Sequence, residues 1–176
     1  GAGGGVGVDV TLAAGAVVIV VVAAALTLLA VAGHSSTKEP EVSYSAQIAL
    51  PFTALKVPVG VAVDSAGNSY VADYYTSTVW KLAAGASVPT SMPFTRLNHP
   101  TGVAMDPAGD LYVVDSDNNR VLKMAAGAHD QTVLPFTGLK NPTGIALDNA
   151  GDIYIADFNN NRVLKLAAGA HDQTVL

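Results

Sequence analysis

Residues 102–124, GVAMDPAGDLYVVDSDNNRVLKM, contain the pattern that decides the fold. Two similar stretches occupy residues 60–82 and 144–166, so each copy begins 42 residues after the one before it. A fixed period in this range indicates tandem supersecondary units that bury their apolar faces by stacking on one another. We therefore expect a repeat fold.

In the middle copy, residue types alternate with the period of two that is typical of β-strands. Its predicted strands are residues 103–105, 111–114, 120–124 and 131–134, with tight turns or short loops between them. Four short antiparallel strands in about 40 residues are typical of one blade of a β-propeller. The sequence therefore predicts an all-β propeller.

The period divides the chain into three blades, at residues 51–92, 93–134 and 135–176. Residues 47–50, QIAL, align with the fourth strand of the middle blade, so we expect a fourth-strand equivalent before the first complete blade. Known propellers have four to eight blades. Three blades are thus expected to be an incomplete ring, completed either by further blades downstream, which is the more economical interpretation, or by a second copy of the chain.

The segment before the repeats predicts a membrane anchor. Residues 10–33 contain no charged side chain, and about 20 apolar residues suffice for a helix to cross the hydrocarbon core. We expect a Gly-rich juxtamembrane linker at 1–9, one transmembrane helix at 10–33, a polar stalk at 34–46 and the partial propeller at 47–176. A secretory signal cleaved after Ala30-Val31-Ala32 is the alternative, but the apolar run is longer than usual for such a signal and no basic region precedes it.

Composition excludes several function classes. The chain has 9 basic and 14 acidic residues and a formal net charge of -5, whereas nucleic-acid binding requires clustered basic groups. It has no cysteine, which removes disulfides, thiolate nucleophiles and cysteine-ligated zinc. A nucleic-acid partner is therefore not expected.

The repeat motif P-x-G-(VI)-A-(VML)-D-x-A-G-(ND)-x-Y-(VI)-x-D, followed in two copies by NRV-x-K, resembles the NHL repeat. Residues 134–176 further resemble the extracellular sensor domain of PknD-like bacterial receptor serine/threonine kinases. That resemblance implies a cytoplasmic kinase domain, one membrane helix and a six-bladed NHL propeller outside the cell. It predicts a single-pass protein of the cell membrane with the propeller on the extracytoplasmic side.

Motifs for chemistry are sparse. No Gly-rich loop with a strand lysine, HRD or DFG occurs, so this chain is not expected to be an enzyme, and no catalytic residue, cofactor or metal is predicted. Two sets of aspartates recur at the repeat period. Asp64, Asp106 and Asp148 open hairpin turns, and Asp73, Asp115 and Asp157 end the second strands. Calcium binding is one interpretation, but we favour capping of backbone N–H groups by these carboxylates.

The strand order assigns a face to each loop. The loops between the second and third strands should share an upper face with the inter-blade loops, while the more uniform turns lie on the lower face. Diverse loops on a regular scaffold predict a recognition surface, although drift in unselected loops would give the same pattern. The candidate ligand-binding residues are the aromatic and amide side chains of these loops: Tyr74, Tyr75, Asn118, Asn119, Phe158, Asn160 and Asn161.

Three functions remain open. The first is a ligand-sensing ectodomain of a receptor kinase, with an extracellular or cell-envelope partner. The second is a kinase-free, membrane-tethered adhesion or scaffold protein. The third is an extracytoplasmic NHL-type lyase, which the apolar first strands disfavour because such enzymes hold a metal near the axis.

Overall fold

The computed structural model describes residues 46–176. The predicted linker (1–9), transmembrane helix (10–33) and stalk (34–46, except its last residue) lie outside the described residues. Within residues 46–176, no helix is long and apolar enough to cross a membrane.

Three four-stranded antiparallel sheets form the described repeats, each with its strands in chain order. Blade 1 consists of β1 (Pro58–Val63), β2 (Ser69–Asp73), β3 (Thr78–Leu82) and β4 (Thr90–Ser91). Blade 2 consists of β5 (Pro100–Met105), β6 (Leu111–Asp115), β7 (Arg120–Met124) and β8 (Gln131–Val133). Blade 3 consists of β9 (Pro142–Leu147), β10 (Ile153–Asp157), β11 (Arg162–Leu166) and β12 (Thr174–Val175). The predicted all-β propeller fold is confirmed.

The three blades belong to one compact unit, Pro51–Leu176. Residues 46–50 form no regular element, so the outer strand predicted at 47–50 is absent. The physical reason is the lack of a pairing edge: within residues 46–176, each third strand already pairs with the outer strand of its own blade, β3 with β4, β7 with β8 and β11 with β12.

The first strands of successive blades lie side by side, β1 against β5 and β5 against β9. Glycine at the third position of β1 and β5 permits this approach. A Cβ atom on Gly102 would lie 2.9 Å from the Thr143 carbonyl oxygen and 3.0 Å from Val114 Cγ2. The absence of a side chain at this position therefore sets how closely the blades pack.

Two apolar clusters form the core, one at each junction between blades. Ala72 and Val79 of blade 1 pack with Val103, Leu111 and Val113 of blade 2. The second cluster joins blades 2 and 3 with residues of the same kind: Val114, Val121, Ile153, Ile155 and Leu164. Full burial of one such aliphatic side chain stabilises the fold by about 1.5–3 kcal/mol. The blades are therefore held together mainly through their faces.

Within residues 46–176, apolar side chains on the two outer faces of the array are only partly covered. Val59, Val61 and Val63 of β1 are 55%, 50% and 43% exposed, and Val163 of blade 3 is 41% exposed. The equivalent positions in the neighbouring blades, 42 residues away, lie at the two internal junctions. Blades 1 and 3 thus each present an apolar face of the type that elsewhere packs on a neighbouring blade.

Candidate binding rim

The upper rim is the face formed by loops 74–77, 116–119 and 158–161 together with the inter-blade loops at 93–99 and 135–141. Backbone hydrogen bonds connect the two kinds of loop, since Asp117 N donates to Asn98 O at 3.2 Å and Asn159 N donates to Lys140 O at 3.1 Å. The predicted grouping of these loops on one face is confirmed.

A fully buried carboxylate supports the rim in blade 2. Asp115, at the end of β6, accepts hydrogen bonds from Asn98 N at 2.7 Å, Asn118 Nδ2 at 2.8 Å and Arg120 Nε at 2.7 Å. The Arg120 Nη2 group donates in turn to the Arg96 carbonyl at 3.0 Å. One buried ion pair therefore ties the inter-blade loop, the upper loop and β7 together.

Blade 3 repeats this arrangement around Asp157. Its carboxylate accepts hydrogen bonds from Lys140 N, Asn160 Nδ2 and Arg162 Nε, each at 2.7 Å. Burial by itself would raise the pKa of Asp157, but the hydrogen bonds from Asn160, Lys140 N and Arg162 outweigh it, so the pKa lies below its usual value. Asp157 is therefore held ionised inside the fold.

Blade 1 lacks the arginine, because Thr78 stands where the other blades have Arg120 and Arg162. The buried Asp73 carboxylate instead accepts four backbone N–H groups, from Lys56, Val57, Tyr75 and Thr76. Capping of backbone N–H groups was the role predicted for Asp73, Asp115 and Asp157, and it is confirmed in all three blades.

A polar network crosses the rim from blade to blade. His99 Nδ1 lies 2.6 Å from Asp117 Oδ2, and Asp117 Oδ1 accepts from Asn141 Nδ2 at 3.0 Å. The Asn141 Oδ1 atom accepts from Asn159 Nδ2 at 2.6 Å. His99 and Asn141 both have positive φ, 51° and 44°, and both precede the proline that begins a first strand.

This network also links each inter-blade loop to the upper loop of the preceding blade. His99 N donates to Ser77 Oγ at 3.2 Å, and Asn141 N donates to Asn119 Oδ1 at 2.7 Å. His99 and Asn141 occupy equivalent positions 42 residues apart, each before a proline, which predicts a polar turn group at His99. Their contacts with Asp117, Asn119 and Asn159 were not predicted from the sequence.

The three predicted aromatic residues differ in their surroundings. Tyr74 stacks on His99, with ring centroids 4.2 Å apart and planes inclined by 18°. Tyr75 and Phe158 are 71% and 64% exposed. Tyr74 therefore braces the rim, while Tyr75 and Phe158 present their rings to solvent.

The four predicted amide residues are largely engaged within the fold. Asn118 Nδ2 and Asn160 Nδ2 each donate to a buried carboxylate and to a backbone carbonyl, that of Arg96 or Gly138. The carbonyl groups of these two side chains stay available. Asn119 and Asn161 have positive φ and end the short 3-10 turns at Ser116–Asn118 and Phe158–Asn160.

The hairpin aspartates on the lower face also act as caps. Asp106 Oδ1 accepts from Asp110 N at 2.9 Å and Oδ2 accepts from Tyr112 Oη at 3.0 Å, as predicted for this set. Asp64 and Asp148 accept equivalent bonds from Tyr70 and Tyr154. Among residues 46–176, no group of three or more acidic or histidine side chains is arranged to hold a metal ion.

The family assignment follows from the repeats. The model of the NHL repeat matches residues 55–82, 97–124 and 139–166. These three segments are NHL repeats, and they form a β-propeller fold. The matched residues of each NHL repeat extend from the inter-blade loop to the end of the third strand.

Solved structures share this NHL propeller fold. A streptogramin B lyase aligns with a TM-score of 0.59 and 18% identity, over 67% of this chain and 39% of that one. A chain of the nidogen/laminin complex aligns with a TM-score of 0.61 and 25% identity, over 68% and 48%. Catalytically inactive virginiamycin B lyase from Staphylococcus aureus with quinupristin aligns with a TM-score of 0.59 and 15% identity, over 74% and 44%.

The NHL chain therefore spans less than half the length of these structures. A comparison with curated proteins finds no match. The two lyases support the fold alone at their level of identity.

Proposed function

We propose that this chain is the membrane-anchored, ligand-binding propeller of a receptor serine/threonine kinase, with the propeller on the extracytoplasmic side. Residues 10–33 are uncharged, residues 34–46 are polar, and the NHL repeats follow. This order of anchor, stalk and propeller is the one that the resemblance to PknD-like receptors implies. The kinase domain lies outside the given sequence.

The observation that supports a binding role is the exposure of aromatic side chains on the upper rim. Tyr75 and Phe158 are the exposed large aromatic residues of the described repeats, and both stand on the upper rim. Aromatic side chains are enriched among the residues that dominate interface energies. Their presence on a rigid surface favours recognition of a partner there.

Rigidity of the rim supports the same proposal. The Asp115–Arg120 and Asp157–Arg162 ion pairs hold the loop bases, and the network of His99, Asp117, Asn141 and Asn159 connects their tips. A surface whose loops are already ordered loses less conformational entropy on binding. We expect an extracellular or cell-envelope ligand to draw two single-pass chains together, which would bring their cytoplasmic domains into contact.

The experiment compares matched surface variants of the full chain in lipid nanodiscs. Tyr75→Ser with Phe158→Ser removes both exposed rings from the upper rim. Val88→Ser is the control, because Val88 is 71% exposed but lies in the turn between β3 and β4 on the lower face. Binding to isolated bacterial cell envelopes is measured by co-sedimentation over a range of concentrations.

We expect the double variant to weaken saturable binding at least tenfold, since hot-spot aromatics contribute about 2 kcal/mol or more each. Val88→Ser should bind like the unaltered chain. Equal binding by both variants, or a greater loss with Val88→Ser, would place recognition elsewhere.

The membrane and kinase parts of the proposal have separate tests. The full chain should remain with membranes after alkaline extraction, and recovery of a soluble form beginning near Gly33 would instead identify residues 10–33 as a cleaved signal. The coding sequence upstream of Gly1 should contain the Gly-rich loop, HRD and DFG motifs of a kinase.

A kinase-free, membrane-tethered adhesion or scaffold protein is the second candidate. The likeness to a chain of the nidogen/laminin complex, at 25% identity, favours it over the lyase alternative. An upstream coding sequence without kinase motifs would select this candidate and leave the proposed binding rim unaffected.

A further inference from the structure

A cleft of about 240 Å³ opens between blades 1 and 2 on the lower side of the array. Its polar groups come mainly from Tyr70 and Lys81 of blade 1 and from His129 in the β7–β8 turn of blade 2. Its apolar walls include Met92, Met105 and Met124, which are all three methionines of the chain.

Lys81 differs from its equivalents in the other blades because it lacks a carboxylate partner. Lys123 Nζ lies 2.6 Å from Asp110 Oδ2, and Lys165 Nζ lies 2.6 Å from Asp152 Oδ2. Blade 1 carries Asn68 at the position of these aspartates. Within the described residues, Lys81 forms no ion pair, and its ammonium group lies 5.4 Å from the centre of the Tyr70 ring.

Asn68 keeps the structural role of the aspartate while removing its charge. Asn68 Oδ1 accepts from Ala84 N at 2.9 Å, as Asp110 Oδ1 accepts from Ala126 N at 2.8 Å. The nearby Asp64 carboxylate is bound to Asn68 and to the Tyr70 hydroxyl. The substitution therefore leaves the turn intact and removes the direct carboxylate partner that the equivalent lysines have.

The three methionines are also particular to this junction. The positions 42 residues later, at the junction of blades 2 and 3, hold Leu134, Leu147 and Leu166. Methionine is unbranched and polarisable, so it adapts to ligands more readily than leucine does. The cleft thus combines adaptable apolar walls with an ammonium group that contacts Tyr70 but forms no ion pair within the described residues.

We propose that this cleft binds a small carboxylate with an unbranched apolar tail. The Lys81 ammonium, a compact charge with three donors, takes the carboxylate, and the methionine side chains contact the tail. The volume is below the about 300–1,000 Å³ of pockets for drug-sized ligands, which indicates a short tail. Hexanoate is a suitable probe.

The test uses the full chain in lipid nanodiscs, labelled with ¹³C at the methionine methyl groups. Three methyl signals are expected, and all three report on the cleft because no other methionine exists. We expect hexanoate to shift them saturably, while hexanol, which lacks the charge, and acetate, which lacks the tail, bind at least tenfold more weakly. Equal shifts with hexanol would reduce the cleft to a site of apolar adsorption and overturn the proposal.

Three variants locate the anion site. Asn68→Asp, which recreates the ion pair seen in blades 2 and 3, and Lys81→Gln should each weaken hexanoate binding at least tenfold. Lys123→Gln removes the equivalent lysine at the next junction and should leave binding unaltered. Binding that survives both Asn68→Asp and Lys81→Gln, or that Lys123→Gln weakens equally, would contradict the assignment to Lys81.

Discussion

A Cβ atom on Gly60 would overlap the backbone carbonyl oxygen of Thr101 in the neighbouring blade. Contact between β1 and β5 therefore depends on the missing side chain. Gly144 occupies the equivalent position in blade 3, but a Cβ atom there would meet only Ala156 Cβ, at 3.5 Å, an ordinary contact within its own sheet. Close packing therefore requires glycine at this position in blade 1 but not in blade 3.

Alanine at these two glycines should have unequal effects. Gly60→Ala is expected to destabilise the repeats by about 1–3 kcal/mol, the usual cost of overpacking, because the Thr101 carbonyl is backbone and cannot move aside as a flexible side chain can. Gly144→Ala should change stability by less than about 0.5 kcal/mol. Urea unfolding of both variants measures this difference, and similar midpoints would contradict the predicted close approach of β1 and β5.

Removal of the buried carboxylate in blade 2 should be among the most damaging single changes. Asp115→Ala leaves Arg120 without its ion-pair partner and removes the acceptor of Asn98 N. Loss of one partner of a fully buried pair costs about 3–5 kcal/mol, and because the Arg120 side chain is 25% exposed we expect a cost near the lower end of that range. Asp130→Ala, at an exposed turn, is the control and should lie within about 0.5 kcal/mol of the unaltered chain.

Acid should destabilise the repeats through carboxylates such as Asp157. Its pKa is lowered in the folded chain, so the unfolded chain binds the proton more tightly. The stability it contributes is fully present above the unfolded pKa, about 3.9, and is lost as the pH falls through the folded value. We expect Asp157→Asn to flatten the fall in melting temperature below about pH 5, whereas the exposed Asp172→Asn should not. An unchanged slope with Asp157→Asn would argue against an ionised, hydrogen-bonded Asp157.

The repeat period accounts for what could be predicted from the sequence. Strand order, hairpin positions and the capping role of residues such as Asp106 and Asp115 follow from local pattern, since their partners lie within the same hairpin or an adjacent loop. The contact of His99 with Asp117 and of Asn141 with Asn119 depends on how one blade's loop returns beside another. The sequence around each of these residues does not indicate which loop will lie beside it.

The predicted amide contacts illustrate the same limit. Asn118 is a predicted ligand-binding residue because it occupies a variable loop. Its two N–H groups instead bond to Asp115 and to the Arg96 carbonyl, which the chain supplies from an inter-blade loop 22 residues away. Exposure of Tyr75 and Phe158 agrees better with the expectation, because a loop tip in a repeat scaffold has few neighbours to cover it.

The outer faces of blades 1 and 3 are complementary, because their equivalents pack against each other at the internal junctions. Val103 and Val113 of blade 2 pack with Ala72 and Val79 of blade 1. In blade 1, the residues equivalent to Val103 and Val113 are Val61 and Val71. In blade 3, the residues equivalent to Ala72 and Val79 are Ala156 and Val163. Val61 is 50% exposed on the open side of blade 1, where Val71 is already buried, and Val163 is 41% exposed on the open side of blade 3. Blade 3 of one copy can therefore pack on blade 1 of another as blade 1 packs on blade 2.

We expect residues 46–176, produced alone, to form concentration-dependent dimers in sedimentation experiments. Val61→Lys should yield monomers, because Val61 is 50% exposed on the open face, whereas Val88→Lys in a lower turn should not. Gly144→Ala should also prevent association despite its small effect on stability, since the equivalent Gly102 admits the next blade's backbone. A stable monomer with cooperative unfolding, or dimers unaffected by both Val61→Lys and Gly144→Ala, would contradict pairing through the blade faces.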